Sequence, residues 1–161
     1  MLVSNSSTII LIAKIALLSK FLDEVKNISI TSIIYDEILK KDSFENLLIK
    51  KEIESGRIKV EQIKEKDYNN LLKQFKLDKG EASAFALYNN GKYKAVLTDD
   101  KELIKICKIN NVPFISAMAI IVTLFRKKIV SKNEALEKME KLQGYGRYSN
   151  EIYIYFKGMV R

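Results

Sequence analysis

Short apolar runs alternate with longer amphipathic stretches along most of the chain. Leu2-Val3 marks a short strand over Met1–Ser4, and a polar cluster, Ser4-Asn5-Ser6-Ser7, separates it from the apolar run Thr8–Ala13. Ser6 or Ser7 stands where an N-cap is wanted for a helix from Thr8 to Leu18. A second helical stretch, Ser19–Val25, leads to the β-branched run Ile28–Thr31, which suits a buried strand. Thr31 or Ser32 then caps a helix through Lys41, and Phe44–Ser55 reads as a helix closed by Gly56. Arg57–Ile63 alternates like a strand but carries the charges of a sheet edge.

Glu65–Phe75 and Gly80–Asn89 show helical periodicity, the second closed by Asn90-Gly91. Ala95–Thr98 predicts a strand, Asp100–Ile109 a helix and Val112–Ile115 another strand. From Ala117 the chain is mostly helical and ends in a Tyr-rich segment after Gly144. Strands alternating with helices imply right-handed crossovers and a mostly parallel sheet covered on both faces. The expected fold is one α/β domain over residues 1–125, with residues 126–161 as a helical extension packed on it.

Composition narrows the chemistry. The 161 residues include no histidine and a single cysteine, Cys107. That excludes Ser-His-Asp and Cys-His catalysis, an imidazole base, a His- or Cys-built zinc site and an internal disulfide. Hydrolysis must then run on carboxylates, hydroxyls, lysines or an oxygen-bound hard cation such as Mg²⁺ or Mn²⁺. The segment Ser4–Ser7 ahead of the first apolar run is not the basic lead of a signal peptide. Lys14 breaks that run well short of the ~18 apolar residues of a membrane span. A soluble, cytoplasmic protein with no membrane partner is the expectation. Charge is uneven: residues 1–100 carry 16 basic and 15 acidic side chains, residues 101–161 carry 12 and 5. The +7 on the last part reads either as a solvated Lys-rich surface or as a face for a polyanion.

Ligands of parallel α/β sheets gather outside the carboxyl ends of the strands. Asn5 closes the first predicted strand, Glu37 lies in the helix after the second, Glu81 begins the helix at Gly80, and Asp99-Asp100 close the strand Ala95–Thr98. Carboxylates gathered at one edge repel and raise one another's pKa unless a cation neutralises them. Mg²⁺ suits such a group, because one or two carboxylates plus waters hold it. Each residue also has a local structural reading. Glu81, beside a Gly80 N-cap, complements a helix dipole; Asp99 or Asp100 caps the next helix; Glu37 pairs with Lys41; Asn5 serves a turn.

The order of these residues resembles that of the PIN-domain nucleases. Leu2–Lys14 is similar to the family's opening strand, amide or acid, hydroxyl pair and apolar helix. Ile33–Leu39 resembles the segment of the second acid (Glu37), Gly80–Leu87 that of the third (Glu81), and Leu97-Thr98-Asp99-Asp100 that of the fourth. The likeness extends from Leu2 to about Phe125. Gly144–Ser149, followed by Tyr153, is similar to the closing motif of a VapC-like toxin subgroup that tolerates Asn at the first acidic position. The resemblance implies an endoribonuclease dependent on Mg²⁺ or Mn²⁺, the toxin of a toxin–antitoxin pair. Asn5, Glu37, Glu81, Asp99 and Asp100 would bind metal, with Glu37, Glu81 and Asp99 catalytic and Ser6 or Ser7 orienting. RNA, an antitoxin protein and a second copy in a homodimer are the implied partners. Asn5 departs from the commoner Asp: its amide oxygen can ligate a hard cation but supplies no charge. That departure and the basic last third also suit an RNA- or protein-binding module with weakened chemistry. The stretch Phe114–Phe125 and the residues Tyr153, Tyr155 and Phe156 read as ordinary core or as an interface.

Overall fold

The computed structural model describes residues 1–145 and 148–161. Among them, strands β1 (Leu2–Ser4), β2 (Ile28–Thr31), β3 (Ile58–Glu61), β4 (Ala95–Leu97) and β5 (Phe114–Ile115) form one parallel sheet in the order β3-β2-β1-β4-β5. Leu2 pairs with Ile28 on one side and with Ala95 on the other, so β1 is central. Residues of β2 and β4 are buried on both faces, whereas β3 exposes Lys59 at the edge, as its charges required.

The described helices are α1 (Ser6–Lys14), α2 (Leu18–Glu24), α3 (Ser32–Leu39), α4 (Phe44–Glu54), α5 (Glu65–Gln74), α6 (Lys79–Asn89), α7 (Lys101–Ile109), α8 (Ala117–Arg126), α9 (Lys132–Gly144) and α10 (Asn150–Gly158). With this strand order, the right-handed rule for parallel crossovers puts α1–α4 on one face of the sheet and α5–α7 on the other. On the first face Ile12, Ile34 and Ile38 of α1 and α3 are buried in the core, and α1 also packs on α4 and α8. Each fully buried Ile side chain contributes roughly 1.5–3 kcal/mol. On the second face α6 is built from small buried residues, Gly80, Ala82, Ser83, Ala84 and Ala86, and so lies close against β1, β2 and β4. Ala135, Met139 and Leu142 bury one face of α9, which packs on α8, and Lys20 of α2 meets Glu134 at 2.9 Å.

Four local expectations change. Helix α1 stops at Lys14 rather than Leu18, and Ala16 just beyond it has a φ of 59°. The cap of α1 is Asn5 rather than Ser6 or Ser7: its Oδ1 accepts the Ser6 N–H at 2.9 Å, and the helix begins two residues earlier than Thr8. The cap of α6 is Asp78 rather than Gly80, and its Oδ1 accepts the Glu81 N–H at 2.7 Å. Strand β5 is shorter than Val112–Ile115, because the Val112 N–H returns to the Cys107 carbonyl and Pro113 has no N–H to offer a ladder. No helix among the described residues is long and apolar enough to cross a membrane.

Candidate functional site

The strand order turns back between β1 and β4, so the crevice beyond their carboxyl ends is the topological switch point of the sheet. Asn5 sits there, 3% exposed, with its backbone N–H bonded to the Leu97 carbonyl at 2.8 Å. Its side chain is occupied at both ends: Oδ1 caps α1, and Nδ2 donates to Ser7 Oγ at 3.3 Å. Ser7 thus faces Asn5, while the Ser6 side chain turns to hydrogen-bond Glu37.

Glu37 projects from α3 toward the start of α6. A Cβ at Gly80 would stand 2.5 Å from Glu37 Oε1, so any larger residue there would push this carboxylate aside. Hydroxyls fix the approach. Ser83 Oγ donates to the Gly80 carbonyl at 2.7 Å and lies 2.7 Å from Thr31 Oγ1. Each hydroxyl has one proton, so Thr31 donates to Ser83, while accepting the Ile34 N–H that it caps. The end of β2 is thereby tied to the start of α6. Burial raises the Glu37 pKa and the charge of Asp78 adds to that, against the Ser6 hydroxyl, Lys40 and Lys41.

Glu81 closes a capping box, its Oε2 accepting the Asp78 N–H at 2.9 Å. Its carboxyl is also hydrogen-bonded to that of Asp100, and its pKa is pushed up to about 7, first by burial and then by the charges of Asp78 and Asp100. Asp100 caps α7 through Oδ1, which accepts the Leu103 N–H at 2.8 Å. Asp99, one residue earlier, faces elsewhere. It is 8% exposed and accepts from Thr8 Oγ1 at 2.6 Å, from the Ala117 N–H at the start of α8 and from the Tyr148 hydroxyl. So Glu81 meets Asp100 and Asp78, Glu37 meets Ser6 and Gly80, and Asp99 joins α1, α8 and the segment before α10.

A family model described as a PIN domain (DUF3368) matches residues 1–155. The chain belongs to the PIN-domain family. No curated protein and no solved structure matches it.

The PIN fold is a nuclease-type fold, and the acids at its switch point carry the interest. Among the described residues no three His, Cys, Asp or Glu side chains close around one point as a ready metal cage. The donors are all oxygens, however, and burial, with neighbouring carboxylates adding to it, raises the pKa of Glu37 and Glu81. A hard cation that needs one or two carboxylates and keeps its waters fits such donors. Beside Glu37 a cleft of about 230 Å³ is lined by Ser6, Lys40, Lys41 and Asn46. In the PIN chain Asp78, Thr8, Lys40 and Tyr148 therefore join the residues singled out from sequence. Asp78-Lys79-Gly80-Glu81 has capping-box spacing, a signal that marks Asp78; nothing local marks Tyr148, which reaches Asp99 across 49 positions. Of the closing motif Gly144–Ser149, Gly146 and Arg147 lie outside the described residues.

Proposed function

We propose that this PIN-domain chain is an endoribonuclease dependent on Mg²⁺ or Mn²⁺. The observation that supports it most is the Glu81–Asp100 carboxyl pair beside the switch point, with Glu81 raised to about 7. Glu81 and Asp100 would hold the cation, with Asn5 lending an amide oxygen only if it gives up part of its cap. When bound, the cation supplies a Lewis acid against the negative charge developing on the phosphodiester and a more acidic water. Glu37, half-buried and held by the Ser6 hydroxyl, accepts the proton of the attacking water at a carboxylate oxygen. Asp99 keeps α1, α8 and Tyr148 in register around the acids. Lys40 and Lys41 supply positive charge to a phosphate of the strand in the neighbouring cleft.

The experiment is RNA cleavage by the purified chain in Mg²⁺ or Mn²⁺. Glu81→Gln should reduce the rate ~100-fold or more, and a chelator should stop it. Cleavage indifferent to both overturns the reading. A toxin role, with an antitoxin partner and a homodimer, extends the proposal through the family likeness. Growth arrest on expression, relieved by the product of an adjacent reading frame, tests the first part, and light scattering tests the dimer.

A second reading has one observation of its own. The Asn5 amide is committed at both ends to local structure, which suits a chain that binds RNA without cutting it. Calorimetric titration separates the two: no heat at millimolar Mg²⁺ or Mn²⁺ favours the binding module. A large gain in cleavage with Asn5→Asp favours an impaired nuclease, since Asp caps a helix as well as Asn.

A further inference from the structure

A cavity of about 540 Å³ opens on the far side of Asp99, between the start of α7, β5 and α10. Phe114, Tyr148, Tyr155 and Phe156 supply its aromatic surface; Lys101 and Lys108 bring positive charge to its lining, and Asp99 and Glu151 bring negative charge. Lys108 Nζ stands 5.9 Å from the Phe114 ring centre, and the rings of Tyr155 and Phe156 meet edge to face at 5.3 Å. Tyr155 is 62% exposed, and no residue of α10 is buried. Tyr153 and Phe156 pack partly on the core, so the exposed ring of Tyr155, beside the lysines at the cavity, is the one that packing leaves unexplained.

We infer that this cavity is a base-stacking subsite for single-stranded RNA. Three features select that occupant. The lining combines ring faces with cations, the pairing by which proteins hold single-stranded nucleic acid without reading sequence. Lys101 follows directly on Asp100, so a base in the cavity belongs to a nucleotide whose phosphates pass the acids. The cavity, at about 540 Å³, has room for a base or two. With the Lys40–Lys41 cleft beside Glu37, the subsite gives the strand a path across the carboxyl edge of the sheet, phosphate charge met on one flank and a base held on the other. Duplex RNA, its bases stacked inside, cannot use it. The inference rests on the nuclease reading only for its substrate; holding the strand requires no cleavage.

The test is fluorescence anisotropy of a short labelled single-stranded RNA with the full chain in EDTA, where no metal-dependent cutting occurs. Tyr155→Ala should weaken binding about 5-fold or more, while Tyr155→Phe, which keeps the ring, stays near wild type. Lys108→Ala should reduce the slope of log affinity against log salt by roughly one unit. Duplex of the same sequence should compete poorly. Unchanged affinity in Tyr155→Ala, or loss of a dimer by light scattering in that variant with RNA binding intact, overturns the subsite. Cleavage in Mn²⁺ is scored separately: RNA held through Tyr155 but never cut leaves the subsite standing and removes the nuclease.

Discussion

At Gly80 a missing side chain makes room for a carboxylate. A methyl there would meet Glu37 Oε1 at 2.5 Å and Oε2 at 2.9 Å, both at the free end of a flexible side chain. Gly80→Ala should therefore fold, and the gain in helix propensity of about 1 kcal/mol holds or raises its melting temperature. Its RNA cleavage should fall ~10- to 100-fold, since displacement of a reacting group by about an ångström suffices. Parallel calorimetry and kinetics check this; an active Gly80→Ala would show that the Glu37 position is unimportant. Asp99 offers the opposite case, a carboxylate fixed by its neighbours. Thr8→Val removes the 2.6 Å hydroxyl donor from the buried Asp99 carboxyl and should cost about 1–3 kcal/mol in chemical denaturation. The adjacency of Asp99 and Asp100 hides from the sequence which of them turns to α8 and which to Glu81, because the turn at a strand end decides it.

Among the elements, the sheet and its crossovers were legible because their cause is local. The β-branched run of β2, the charged alternation of β3 and the small-residue face of α6 each state a position in the layers. Caps were less legible where candidates crowd together. Ser4, Asn5, Ser6 and Ser7 all have the right chemistry, and the rotation at the end of β1 selects Asn5. At α6 the D-x-x-E spacing pointed to Asp78, yet Gly80 lay closer to the apolar run. Helix ends also hold unspent stability. Ala16 after α1 and Lys128 after α8 have φ of 59° and 61°, a region that favours glycine. Ala16→Gly and Lys128→Gly should each add ~0.5–1 kcal/mol, or roughly 2 °C in melting temperature. A fall in melting temperature for both would show that the αL strain is offset by lost chain entropy.

Over the whole molecule, charge connects stability, metal and substrate. Glu81 moves from 4.5 in the free group to about 7 in the fold. The metal-free folded chain thus holds a proton that the unfolded chain releases as pH rises from about 4.5 to 7. That contribution to stability is full below about 4.5 and is lost as pH climbs through 7. In EDTA the melting temperature should accordingly decline between about pH 5 and pH 8, and millimolar Mg²⁺ should restore it most at the alkaline end. A flat response to metal at every pH would contradict a cation at the Glu81–Asp100 pair. The acids all precede residue 101, while residues 101–161 carry the +7. Binding of RNA should therefore weaken steeply with salt.

In the proposed nuclease, carboxylates and a hard cation drive hydrolysis by external water in a chain without histidine. The chemistry of the cut ends tests it most directly. With Mn²⁺ the 3′ fragments and 5′ fragments should carry a free hydroxyl at one side of the break and a simple phosphate at the other from the earliest time point. These products should be absent with Glu81→Gln. A 2′,3′-cyclic phosphate, the mark of attack by the RNA's own 2′-hydroxyl, would show that water activated by the acids and a cation is not the nucleophile.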